Sequence, residues 1–96
     1  MTYFAVLYTY ITDAEAVSAV RPEHRQFLAG LKEKGMLVGS GPIKETNPGE
    51  ALIVLALSEG ATVADAEAVM DDDPFNRWNR IANRRIVAWD PVLRIF

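Results

Sequence analysis

The sequence has no cysteine among its 96 residues. Disulfides, thiolate nucleophiles and sulfur-ligated metals are therefore excluded. It holds a single histidine, His24, and one imidazole beside an acidic run does not supply the ligand set of a zinc site. Asp71, Asp72 and Asp73 lack the spacing of a calcium loop, so no metal is expected. The Gly-rich stretch Gly39-Ser40-Gly41-Pro42 has no lysine-hydroxyl pair behind it and leads into a strand, unlike a phosphate loop. Ser18, Ser40 and Ser58 sit in no nucleophile-elbow context. No apolar run approaches the ~20 residues of a membrane helix. The opening MTYFAVLYTYIT lacks the basic region of a signal peptide, so the expected location is the cytoplasm. A net charge of -3 speaks against nucleic-acid binding, which calls for a basic surface.

With 50% hydrophobic and 24% charged residues, the chain reads as one globular domain over residues 1–96. So short a chain buries only roughly 60 to 70% of its unfolded surface. Little area is left for a deep cavity, and a partner subunit is a natural source of a second wall. Charge is uneven: five basic and twelve acidic residues precede Arg77, and five basic and one acidic follow from it. Arg77, Arg80, Arg84 and Arg85 either attract an anion or form a solvated face balancing the acidic run before them.

Tyr3–Ile11 is rich in aromatic and branched residues and predicts a strand. Thr12 with Glu15 has capping-box spacing and suggests a helical turn over 13–20. Pro22 suits the first position of a main helix that runs to about Lys34, with Gly35 as its cap. Residues 36–43 predict a second strand and 51–58 a third, joined as a hairpin by the Asn47-Pro48-Gly49 turn. Thr62 with Asp65 opens a second helix, which ends near Pro74. Residues 74–83 predict a short helical stretch, and 84–96 a last strand that Pro91 bends or splits. The order is β-α-β-β-α-β, the ferredoxin-like α+β arrangement with a four-stranded antiparallel sheet.

The third strand is apolar on both faces, with Leu52, Val54 and Ala56 on one and Ile53, Leu55 and Leu57 on the other. The first strand repeats this, with Phe4 and Val6 against Ala5, Leu7 and Ile11. Helices cover only one face, and a sheet with one wet face should alternate apolar and polar residues. A homodimer packed sheet to sheet is expected.

His24 falls in step with Phe27, Leu28 and Leu31 on the apolar side of its helix. It is either a packed residue at the edge of the core or a base lining a pocket. On the second reading, a place in the first helical turn keeps the ring neutral, because the positive end of the macrodipole disfavours imidazolium. Arg21, three residues earlier, would either orient an anionic substrate or pair with Glu23. Asp73 suits the N-cap of the stretch that Pro74 opens, and its second oxygen could hold an imidazole. Asp71 and Asp72 read as solvated. Trp89 is read as core or dimer interface, with pocket wall as the alternative. Tyr3, Tyr8 and Tyr10 could each bring a phenol to a substrate, but cross-strand packing is the simpler account.

The opening strand, Arg21-x-x-His24, Phe27-Leu28-x-x-Leu31-x-x-x-Gly35, a strand closing on Gly41-Pro42, Asp73-Pro74-Phe75 and a final strand with Trp89 together resemble the YciI-like (YCII-related) family. The likeness covers nearly the whole chain. It implies the dimeric α+β barrel built from ferredoxin-like subunits. It also implies a His–Asp pair in a pocket, carried here onto His24 and Asp73. The resulting expectation is a cofactor-free lyase or isomerase in which His24 moves a proton of a small substrate and Asp73 fixes the ring. Arg21, Ser40, Gly41 and Trp89 are the expected substrate-binding residues. A dimer that binds a small molecule or protein without chemistry is the alternative.

Overall fold

The computed structural model describes all of residues 1–96. It contains strand β1 (Thr2–Tyr10), helix α1 (Ala14–Glu33), strands β2 (Leu37–Ile43) and β3 (Glu50–Leu57), helices α2 (Val63–Asp71) and α3 (Pro74–Arg77), and strand β4 (Ile81–Trp89). The four strands form one antiparallel sheet in the order β2-β3-β1-β4, which is the ferredoxin-like α+β fold.

Alternation along β1 turns Phe4, Val6, Tyr8 and Tyr10 toward the helices, and all four are buried. On β3 the same face carries Ala51, Ile53, Leu55 and Leu57. Against it α1 lays Val17, Val20, His24, Leu28 and Leu31, and α2 adds Ala66 and Met70. Thr62 and Asp65 form the expected capping box, each side chain bonding the other's backbone N–H.

Two local expectations are corrected. First, α1 is one continuous helix in which Pro22 is interior, and its N-cap is Asp13 rather than Thr12. Pro22 forfeits the bond to the carbonyl four residues back. That loss is outweighed because the apolar stripe from Val17 to Leu31 packs on the sheet without interruption. His24 thus lies in the middle of α1 and not in its first turn, and the macrodipole, which acts within the terminal turns, gives no account of its protonation. Second, β4 starts at Ile81 and ends at Trp89, before Pro91, so the residues beyond are not strand. Gly39 and Gly41 lie on the edge strand β2, where a Cβ at either would meet nothing within 4 Å. The register shift between Leu37 and Gly39 is the irregularity their presence accompanies.

The sheet face away from the helices is covered only at one end, where Phe96 and Arg94 lie against Tyr3 and Trp89; the rest is open. Leu52 is 39% exposed there, with Val54, Leu7 and Val87 half-buried beside it. No helix is long and apolar enough to cross a membrane.

Candidate active site: a buried imidazole and its carboxylate

α1 and the start of α3 meet over the centre of the sheet, and there His24 and Asp73 touch. Nδ1 of His24 is 2.9 Å from both oxygens of Asp73. Both residues are buried, Asp73 completely. An ionised carboxylate only accepts, so Nδ1 carries the proton of that bond. Nε2 is then the bare nitrogen. It has no protein partner, yet it is not sealed off, since no buried side-chain nitrogen or oxygen lacks a hydrogen bond.

Local sequence explains why Asp73 stands there. Pro74 takes the first position of α3, and Asp73, in extended conformation, caps it by accepting from the Phe75 N–H at 3.0 Å. Capping uses one oxygen and leaves lone pairs free for side chains. One goes to His24. Another accepts from the Tyr8 hydroxyl at 2.8 Å. That hydroxyl in turn accepts from Nδ2 of Asn76, which also bonds the Met70 carbonyl. Phe75 stacks on the His24 ring with centroids 4.2 Å apart. The imidazole is held by packing and by the hydrogen bond together.

Tyr8 and Asn76 escaped the sequence reading. Cross-strand packing was the expectation for Tyr8, whose phenol instead enters the core. Its period-two match with Phe4 and Val6 placed it on the helix face and was the available signal. Burial, followed by the neighbouring Asp73 charge, pushes the Tyr8 phenol well above the usual tyrosine range. It remains a donor at any ordinary pH.

In front of His24 lies a cleft of about 460 Å3, lined by Tyr10, Arg21, Arg25, Ser40 and Gly41 among others. Arg21, Ser40 and Gly41 therefore share one cavity with His24. Arg21 donates to Ser18 Oγ at 3.3 Å and does not pair with Glu23. Trp89 is corrected: it does not reach this cleft. It pairs with Tyr3, whereas Tyr10 pairs with Ile81, so Trp89 lies at the other end of β1, roughly 24 Å away at a strand's rise. It also shares with Tyr3 the sheet face away from the helices and is 42% exposed. Asp71 and Asp72 are exposed and pair with Arg84 (2.8 Å) and Arg77 (3.0 Å), so the basic cluster does balance the acidic run. No group of three or more His, Asp or Glu side chains converges as a metal site would require. A larger groove of about 680 Å3 opens near Met1, Lys34 and Val69. Its carboxylates are engaged, Glu59 with the N-terminal ammonium and Asp65 in the capping box, so chemistry favours the smaller cleft.

The model of the YCII-related domain matches residues 1–90. The chain belongs to the YCII-related domain family. No curated protein matches this YCII-related chain in sequence. Among solved structures, 5-chloro-2-hydroxyhydroquinone dehydrochlorinase from Burkholderia phenoliruptrix, in complex with 2,5-dihydroxybenzoquinone, is similar at a TM-score of 0.65 and 14% identity, covering 92% of this chain and 93% of that one. An antibiotic biosynthesis monooxygenase is similar at 0.60 and 13%, covering 94% and 97%. Protein Atu4242 from Agrobacterium tumefaciens is similar at 0.58 and 18%, covering 95% and 93%. At such identities these likenesses establish the fold that the YCII-related domain shares with them, and the chemistry has to be argued from its own residues.

Proposed function

We propose that the protein is a cofactor-independent enzyme of the lyase or isomerase kind, with His24 as its general base and Asp73 as the positioning carboxylate. The observation that carries this reading is the contact of Nδ1 with Asp73, which leaves Nε2 bare toward the cleft. Nε2 would take a proton from a carbon next to a carbonyl of the substrate. The imidazolium so formed stands against the Asp73 charge, and the electron pair left behind moves onto the carbonyl oxygen. Return of the proton at another atom completes an isomerisation. In an elimination the electron pair returns to form the double bond, and the leaving group departs with its own bonding pair. His24 then gives its proton to that group or to water. General-base catalysis of this kind contributes about 10² to 10⁴ in rate. The backbone N–H of Ser40, on the edge strand at the cleft, is the candidate for steadying the oxyanion, since the N–H of Gly41 faces Leu52 in the ladder. A neighbour of the same fold carries a dihydroxybenzoquinone, which supports a small molecule as the occupant.

Pairing of two copies through the uncovered sheet face belongs to the same proposal. Leu52, Val54, Leu7 and Val87 supply the apolar surface for it.

The test uses the single imidazole. In 15N NMR the neutral ring of the wild type should show a protonated Nδ1 and a bare Nε2. Asp73→Asn should lose that preference, as a carboxylate-to-amide change does in other His–Asp pairs. His24→Ala should abolish turnover of whichever ring compounds the wild type converts, while binding persists. If the tautomer is the same in Asp73→Asn, Asp73 does not position the ring. If His24→Ala weakens binding and no turnover is found in the wild type, the protein is a binding module.

A further inference from the structure

The cleft carries more positive charge than a proton transfer needs. Arg21 and Arg25 lie four residues apart on α1 and flank His24, and both line the cleft. Neither pairs with a carboxylate: the arginines engaged in ion pairs are Arg77 and Arg84. No aspartate or glutamate lines the cleft, although the chain as a whole is acidic. Two guanidiniums without counter-ions thus face one cavity.

Tyr10 completes this wall. Its ring lies edge-on to Phe75 at 5.3 Å, and the Arg21 guanidinium is 6.0 Å from the ring centroid. Burial raises its pKa, so the phenol keeps its proton. A guanidinium has no acceptor, so Arg21 cannot take up the Tyr10 O–H bond. The hydroxyl remains a free donor. Leu28, Ala51 and Ile53 form the apolar floor of the cleft, which suits a ring or short hydrocarbon skeleton.

We infer that Tyr10, Arg21 and Arg25 are specificity-determining residues that select a small cyclic carboxylate, held by its anionic group at the arginines with its ring on Leu28 and Ile53. This rests on the proposed use of the cleft, and charge balance deepens it. Proton transfer to His24 neutralises Asp73 locally and moves a negative charge onto the substrate. A monoanion that binds therefore becomes a dianion as it reacts, and two guanidiniums match the second charge as well as the first. The interaction grows along the reaction, as catalysis requires.

The test follows the His24 ring signals while benzoate and cyclohexanecarboxylate are added, with benzamide and cyclohexanecarboxamide as neutral counterparts. The acids should shift the signals saturably and the amides should not at equal concentration. Arg21→Gln and Arg25→Gln should each weaken acid binding about 10-fold, the loss of one charge-assisted contact, with partial recovery in the lysine variants. Tyr10→Phe should weaken it by less, and Arg77→Gln not at all. The inference is overturned if amides bind as well as acids, if neither acid shifts His24, or if both glutamine variants keep the wild-type affinity. These probes undergo no reaction, so the outcome is separable from the catalytic reading. Acid-selective binding in a protein without turnover would remove the base and keep the clamp; turnover of a neutral substrate would do the reverse.

Discussion

Tyr8 and Asp73 are 65 positions apart in sequence and are joined by a 2.8 Å hydrogen bond from the phenol to Oδ2. The bond ties the central strand to the residue that caps α3 and holds His24. Removing the hydroxyl leaves a buried carboxylate with one donor fewer. Tyr8→Phe is expected to lower stability by about 2 kcal/mol, as for other hydrogen bonds to a charged group. Urea unfolding of the two proteins measures it, and an unchanged midpoint would mean that the bond contributes nothing net.

Alkaline pH should destabilise the fold through the same phenol. Its folded pKa is raised, so the native state keeps a proton that the unfolded chain releases near the ordinary tyrosine value of about 10. Stability from this source is complete below that pH and falls as pH rises above it. Tyr10, also raised, adds to the slope. Unfolding midpoints from about pH 8 to 11 should decline, and less steeply in Tyr8→Phe than in the wild type.

Gly49 accepts from the Tyr10 N–H at 2.8 Å, and a Cβ there would lie 2.9 Å from Cδ2 of the Tyr10 ring. Gly49→Ala should therefore push the ring toward the cleft. Overpacking of this sort costs about 1 to 3 kcal/mol. Thermal unfolding reads the loss, and the carboxylate titration described above should weaken in parallel. A variant as stable as the wild type would show that the ring moves freely.

Leu52 is the most exposed aliphatic residue of β3 and stands on the uncovered face. If two copies pair there, Leu52→Arg buries a charge at the interface and should turn a dimer into a monomer, read by light scattering during size-exclusion chromatography. A wild type that is already monomeric would end the pairing proposal.

Much of this architecture could be read from residue order. The aromatic and branched runs of β1 and β3, the Thr62–Asp65 capping box, and Asp73 before Pro74 each name one local geometry with few competitors. The joining of His24 to Asp73 was not local. It was expected from family likeness, because nothing in either segment encodes a partner 49 residues away. Pro22 misled, since a helix start is its commonest place. The contrary signal was the unbroken spacing of Val17, Val20, His24, Leu28 and Leu31, which tertiary packing enforces. Trp89 misled because a large aromatic fits a pocket, a core or an interface equally well, and only strand register chooses. Tyr8 was assigned to packing because a strand pattern gives the face of a side chain but not the polar group it will meet.

Asp73 caps a helix, receives a phenol and holds an imidazole, so almost no substitution there leaves the other two duties intact. The opposite rim is free of such ties: Ser40, Gly41 and Pro42 are exposed, on an edge strand, and outside the core. The molecule can change what it admits by redrawing a border while its interior wiring stays fixed, which makes residues 40–42 the natural place to begin altering selectivity by design.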